Sequence, residues 1–270
     1  MALGYDGKLY ILAFDHRGSF VKRFGIEGQP SPEEAARISD GKHLIFEGLV
    51  VSLERGAEAQ VTGGLVDEQF GGPTRVPEEI KERGIKLAMP VEKSGQDEFD
   101  FEYGEEFGAH IERFDPDFSK VLVRYNPDGD AEMNRRQAGR LRRLADWLHE
   151  RDRKFLFELL VPAEPSQLES VGGDTDRYDA ELRPELMCRV IAELQDAGVE
   201  PDIWKIEGST SVRTASGSRS SPGPAAATAW CAWCWGGAPT TTRWTSGCGR
   251  APRWTGTWGS RSGARSGAGR

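Results

Sequence analysis

The sequence predicts an α/β protein of the TIM-barrel class, in which residues 1–208 encode six of the eight β/α units. Six apolar runs are separated by segments of helical periodicity. The runs are continuously apolar, as in a parallel sheet covered by helices. A doubly wound open sheet is the alternative, but the HRGSF turn at 16–20 lacks the glycine-rich phosphate loop that this fold needs.

Each of the six predicted strands has a polar residue at or near its C-terminal end. In chain order they are KLYILAFD (8–15), GLVD (64–67), IKLAMPVE (85–92), KVLVRYN (120–126), KFLFELLV (154–161) and DIWKIE (202–207). Helices are predicted between them at 33–55, 78–83, 102–114, 131–151 and 183–197. Ser31 and Pro32 mark the start of the first helix, and Gly198 is the expected C-cap of the last. The first helix has an apolar face of Ile38, Leu44, Ile45, Leu49 and Leu53.

The segment 209–270 has a different composition and forms the second region of the chain. It contains six of the eight tryptophans and three of the four cysteines, but no Asp, Glu, Lys, Leu, Ile, Phe, Tyr or Met. Tryptophan has the single codon TGG, which reads as Leu, Val or Met when the frame moves by one base. Residues 230–267 then become strand, helix and strand, so we interpret the segment as a frameshifted version of units seven and eight, non-native and disordered as translated.

Charge and composition argue against a nucleic-acid-binding, membrane or secreted protein. The chain carries −8 and the tail has eight arginines and no acid, so residues 1–208 carry −16. Six tryptophans among arginines allow a nucleic-acid-binding tail, but the frameshift explains them more simply. With neither a membrane span nor a signal peptide in the sequence, we expect a cytoplasmic protein. Cys231 and Cys234 form a lone C-x-x-C, which is weak support for a metal or redox site.

Polar residues at the C-terminal ends of barrel strands indicate an active site, because TIM-barrel active sites lie there. Lys205 is the candidate nucleophile, with an interior ion pair to Glu158 or Glu207 as its alternative reading. Glu158 is the candidate acid/base group, and an apolar wall is expected to raise its pKa. Lys120 is either a site residue or a solvated residue at the entrance of strand four. The other candidates are Asp15, His16, Asp67, Glu92 and Arg124.

A metal site is disfavoured. Asp15, Asp67 and Glu92 are oxygen ligands of the right type, but no H-x-H or paired histidine accompanies them. The histidines at 43, 110 and 149 lie in predicted helices and are expected to be surface or packing residues.

The motifs together resemble the class I, lysine-dependent aldolases of the tagatose-1,6-bisphosphate aldolase type. The chain is more closely similar to the 2-deoxy-5-keto-D-gluconate 6-phosphate aldolase domain found next to inositol-catabolic 5-dehydro-2-deoxygluconokinase. The resemblance covers residues 8–208 and rests on six motifs: ILAFDHRGSF, LVDEQFG, AMPVEKSGQDEFDFEYG, KVLVRYNPDGD, KFLFELLVPA and PDIWKIEG.

The resemblance implies a role for each matching residue. Lys205 corresponds to the Schiff-base lysine and Glu158 to the acid/base glutamate. Substrate binding falls to Asp15, His16, Arg17, Asp67, Glu92, Lys120 and Arg124, with His16 standing where the tagatose enzymes usually have Gln. The implied reaction cleaves a phosphorylated keto sugar to dihydroxyacetone phosphate and malonate semialdehyde, without metal or cofactor.

Other functions stay open from the sequence. A related ketose-phosphate or sulfosugar-phosphate aldolase would carry the same motifs, and a sugar-phosphate-binding barrel without turnover would keep the fold. A further alternative is that the chain as translated is inactive, with strands one and six as open edges that aggregate. The expected partner is the small sugar phosphate, with no nucleic acid or membrane. A homo-oligomer and a functional link to a sugar kinase are compatible with the sequence.

Overall fold

A computed structural model describes residues 3–207 of the chain. Its centre is one sheet of six parallel strands in the order of the sequence, curled into a half-barrel. The strands are β1 (Tyr10–Ala13), β2 (Thr62–Leu65), β3 (Lys86–Pro90), β4 (Phe118–Arg124), β5 (Lys154–Leu160) and β6 (Ile203–Ile206). The α/β class and the six predicted strands are therefore confirmed. The predicted frameshifted segment lies outside the described residues.

Nine α-helices lie within residues 3–207: α1 (Gly18–Arg23), α2 (Pro32–Glu54), α3 (Glu68–Gly71), α4 (Val76–Glu82), α5 (Phe107–Phe114), α6 (Ala131–His149), α7 (Pro165–Ser170), α8 (Thr175–Arg177) and α9 (Arg183–Asp196). Helix α2 begins as predicted, with Ser31 and Glu34 forming a reciprocal capping box. Gly198 follows α9 with a φ of 83°, the left-handed conformation that glycine adopts at low cost. Among these described helices, none is long and apolar enough to cross a membrane.

Two details of the predicted elements were wrong. Leu44 is 67% exposed, so it does not belong to the apolar face of α2. Strand β4 begins at Phe118, two residues before the predicted start, so Lys120 lies inside the sheet and is not at a solvated entrance.

The sheet separates two apolar layers. Its convex face packs against the helices through a large cluster that includes Val121, Phe157 and Trp204. Its concave face holds a smaller cluster of Leu65, Ala88, Phe118, Leu156 and Ile203. The concave cluster fills the lower part of the half-barrel and forms a floor beneath the C-terminal ends of the strands.

The first described residues close the N-terminal end of the half-barrel. The Gly4 N–H donates to Asp202 Oδ1 at 3.0 Å, and Lys154 Nζ donates to the Gly4 carbonyl at 3.1 Å. The Tyr5 ring packs edge-on against Phe118 with 5.3 Å between centroids. These contacts cover the N-terminal end of the interior. The predicted polar ends of the strands lie at the opposite end.

Strands β1 and β6 are the outer strands of the sheet formed by residues 3–207. Tyr10 and Leu12 on β1 are 39% and 38% exposed, unusually high values for large apolar residues in a parallel sheet. In the described part of the chain, strands one and six are thus the outer strands, as predicted.

Candidate active site

Three charged residues stand on the concave face one step above the apolar floor. Along β4, β5 and β6 the inward positions read Phe118 then Lys120, Leu156 then Glu158, and Ile203 then Lys205. Side chains two residues apart point to the same face of a strand, so each charged residue follows an apolar one towards the C-terminal end. Glu158 and Lys205 are also register partners on neighbouring strands.

Lys120 is the centre of this group. It is 1% exposed, and its Nζ donates to Asp15 Oδ2 at 2.8 Å and to Glu92 Oε1 at 3.0 Å, and lies 3.1 Å from Glu158 Oε2. Burial lowers the pKa of Lys120, but the three carboxylates outweigh burial and the net shift is upward. Lys120 is held as an ammonium ion. We call Asp15, Glu92, Lys120, Glu158 and Lys205 the charged layer.

Glu158 lies between the two lysines of the layer. Its Oε1 accepts a hydrogen bond from Lys205 and its Oε2 faces Lys120. Burial raises the pKa of Glu158, but Lys120 and Lys205 together lower it below its ordinary value. The predicted upward shift was wrong, because two lysine side chains flank the carboxylate where an apolar wall was expected. Glu207 binds Arg183 and the Val161 N–H, leaving Glu158 as the carboxylate next to Lys205.

The two remaining carboxylates of the layer differ. For Asp15, burial raises the pKa but Lys120 more than compensates, and the pKa lies below its ordinary value. For Glu92, burial raises the pKa and the opposing effects of Lys120 and Arg17 do not cancel it. Glu92 Oε2 is buried and has no hydrogen-bond partner among the described residues.

Arg17 forms the outer wall beside Glu92. Its Nη2 donates to the Glu92 carbonyl at 2.8 Å, and its Nη1 contacts Glu102 Oε2 at 3.1 Å. Arg17 also lines a cavity of about 690 Å³ that includes Lys93 and His110. Arg17 therefore contacts the charged layer and also borders this cavity.

The structure places Asp67 away from the layer and next to a residue that the sequence analysis missed. Lys42, on α2, is fully buried, and its Nζ binds Asp67 Oδ1 and donates to the carbonyls of Phe14 at 2.6 Å and His16 at 3.0 Å. The second oxygen of Asp67 caps α3 by accepting from the Phe70 N–H at 2.9 Å. Lys42 thus fixes the backbone on both sides of Asp15.

Burial dominates the ionisation of this pair. It lowers the pKa of Lys42 despite Asp67, and it raises the pKa of Asp67 despite Lys42. A signal for Lys42 was present in the sequence, since it falls four residues after Ile38 and four before Phe46 on the buried face of α2.

Arg124 and the helical histidines lie outside the charged layer. Arg124 is at the end of β4, where its Nη1 donates to the Gln96 carbonyl at 3.1 Å. His110 binds Glu68 Oε2 at 2.6 Å and stacks on Tyr103, as a packing residue would. In residues 3–207, no group of three or more His, Cys, Asp or Glu side chains is arranged to hold a metal ion.

Comparison with known proteins gives one family. The model of a family described as "Uncharacterized protein conserved in bacteria (DUF2090)" matches residues 5–216. This range includes every residue of the charged layer and ends shortly after Gly208. No curated protein matches the chain.

Proposed function

The chain belongs to this bacterial family, and we propose that it is a lysine-dependent aldolase that cleaves a phosphorylated keto sugar through a Schiff base on Lys205. The observation that carries the proposal is the contact between the Lys205 amine and the Glu158 carboxylate on the concave face of the half-barrel. An amine and a carboxylate in reach of each other are the two groups that this reaction needs.

The environments of the two lysines distinguish their roles. Lys120 is 1% exposed and its ammonium faces three carboxylates, which hold it in the charged form. The Lys205 side chain is 16% exposed and contacts the single carboxylate of Glu158. Lys205 is therefore the better nucleophile, because a single carboxylate holds its amine and the amine can meet a substrate from the open end.

The chemistry follows from these residues. The neutral Lys205 amine attacks the substrate ketone and forms an iminium ion, which accepts the electron pair when the adjacent carbon–carbon bond breaks. Glu158 removes the proton of the substrate hydroxyl and later returns a proton to the enamine carbon. The lowered pKa of Glu158 suits the first of these steps, since it keeps the carboxylate ionised.

We assign 2-deoxy-5-keto-D-gluconate 6-phosphate as the substrate on the motif resemblance, with dihydroxyacetone phosphate and malonate semialdehyde as products. Four cations near the site already contact carboxylates: Lys120 and Lys205 in the charged layer, Lys42 with Asp67, and Arg17 with Glu102. On the resemblance, we assign binding of the substrate phosphate to units seven and eight of a complete TIM barrel, encoded in the other frame of 209–270.

Borohydride trapping tests the proposal. The full chain, and a form in which the reading frame after Gly208 is restored, are incubated with dihydroxyacetone phosphate, reduced and digested for mass spectrometry. We expect a reduced adduct on Lys205 that is absent from Lys205→Met. Absence of an adduct from the frame-restored protein would contradict the aldolase and leave a binding barrel without turnover.

A further inference from the structure

Glu92 has an unused oxygen at the centre of the charged layer. Oε1 accepts from Lys120 at 3.0 Å, whereas Oε2 is buried without a partner in the described part of the chain. The side chain is 9% exposed, so bulk water does not replace the missing partner. Burying an ionised carboxylate with unused acceptors is costly, and protonation removes that cost. Asp15 and Glu158 are better stabilised as anions, since the first has the shortest contact to Lys120 and the second touches two lysines.

The charge balance of the site requires such a proton carrier. Asp15, Glu92 and Glu158 contact the cations Lys120, Lys205 and Arg17, and Arg17 also contacts a fourth carboxylate, Glu102. When Lys205 becomes the neutral amine needed for attack, the excess of negative charge grows by one unit if its proton leaves the site. Moving the proton of Lys205 to one of the carboxylates keeps the net charge of the site unchanged, without exchange with solvent.

A continuous chain of contacts joins Lys205 to Glu92. The Lys205 amine binds Glu158 Oε1, Glu158 Oε2 lies 3.1 Å from Lys120 Nζ, and Lys120 Nζ lies 3.0 Å from Glu92 Oε1. Lys120 can release one proton to Glu92 while it takes another from Glu158. It therefore remains an ammonium ion throughout the transfer.

We propose that Glu92 stores the proton that Lys205 gives up before attack, and that Glu158 and Lys120 carry it between them. This inference rests on the proposed aldolase function. Attack forms the carbon–nitrogen bond of a carbinolamine; the nitrogen lone pair then forms the double bond as hydroxide leaves. The stored proton converts that hydroxide to water, so one amine, one ketone and one proton give one iminium ion and one water. Glu92 acts through Lys120 and is a positioning residue for the proton.

The groups that face Glu92 come from several elements. Lys120 approaches from β4, and Arg17 and Asp15 from the segment after β1, with Glu158 on β5 behind Lys120 and Glu102 behind Arg17. Burial, followed by the opposing effects of Lys120 and Arg17, leaves the pKa of Glu92 above its ordinary value. This direction agrees with the proton assignment made from the contacts.

Infrared spectroscopy tests the stored proton without requiring turnover. The full chain is labelled with ¹³C at the glutamate side-chain carboxyl, which separates Glu92 from the aspartates, including buried Asp67. We expect a protonated carboxylic acid band at pH 7 that disappears in Glu92→Gln, and that remains in the exposed control Glu105→Gln. A spectrum at pH 7 with no protonated glutamate, or one whose band survives in Glu92→Gln, overturns the inference.

A pH profile tests the use of that proton. In single-turnover trapping with dihydroxyacetone phosphate, we expect the wild-type rate to be nearly flat between about pH 6 and 8, because the proton is internal. Glu92→Gln keeps an oxygen for Lys120 but carries no exchangeable acid proton, so its rate should fall about tenfold per pH unit over that range, with solvent as the source. A wild-type profile in Glu92→Gln overturns the inference. If no adduct forms in any protein, the aldolase proposal fails and the infrared result still decides where the proton lies.

Discussion

Lys120 and Lys42 are both buried at the top of the half-barrel, yet their ionisation shifts in opposite directions. Lys120 faces three carboxylates and its pKa is raised; Lys42 faces one carboxylate and two carbonyls and its pKa is lowered. Burial disfavours the charged form of both lysines and lowers the pKa of each. The number of ionised partners decides the outcome, and this number separates a lysine of the charged layer from one that fixes a loop.

The largest expected effect is from Lys120→Met. The substitution leaves Asp15, Glu92 and Glu158 close together without their common cation, and removing one partner from a buried pair costs about 3–5 kcal/mol. Urea unfolding at pH 7 measures the loss. The cost should shrink at pH 4, where the carboxylates take up protons; a loss independent of pH would show that packing dominates.

A smaller loss is expected from Lys42→Met, of about 1–3 kcal/mol at pH 7. Two carbonyls lose their donor, but Asp67 can become neutral because burial has already raised its pKa. The double variant Lys42→Met/Asp67→Asn should recover part of the loss, since no buried charge remains. If Lys42→Met costs as much as Lys120→Met, the comparison of the two lysines is wrong.

Asp15 and Glu92, two carboxylates that contact Lys120, should affect the pH dependence of stability in opposite directions. The lowered pKa of Asp15 stabilises the fold above the unfolded pKa near 4, and this stability is lost as pH falls through the folded value. The raised pKa of Glu92 means that the fold loses stability as pH rises from the unfolded value through the folded one. In denaturant unfolding from pH 3 to 8, the stability lost by Asp15→Asn relative to wild type should therefore be largest at high pH. The stability of Glu92→Gln relative to wild type should increase as the pH rises over that range. Parallel curves of the free energy of unfolding against pH for the three proteins would contradict both shifts.

The smallest effect is expected on the surface. Glu132→Gln removes an exposed contact to Arg135 within α6, and exposed pairs add little stability. Its unfolding midpoint should equal that of wild type within error, at low and high salt. A clear shift would mean that surface charge contributes to the differences seen in the layer.

The repeat of apolar runs was enough to predict six strands and their polar ends, because a buried parallel strand and the chemistry at its end both leave local patterns. Lys205 and Glu158 were found together for this reason. Spacing along the chain does not give the distances in space between side chains of different units, so the clustering of Asp15, Glu92 and Glu158 on one ammonium was not predicted. For the same reason, the predicted direction of the pKa shift of Glu158 was wrong. Lys42 was missed because its helix was read for apolar residues alone.

The contacts of Gly4 and Tyr5 bear on how the protein is made. Their partners, Lys154, Asp202 and Phe118, are far along the chain, up to 198 positions away. On the ribosome, Gly4 and Tyr5 emerge well before Asp202 is synthesised, so the contacts that close the N-terminal end of the half-barrel can form only after Asp202 has also emerged. Gly4 thus contacts Asp202, directly before the strand that carries Lys205, so an affinity tag attached ahead of Gly4 would lie close to the start of that strand.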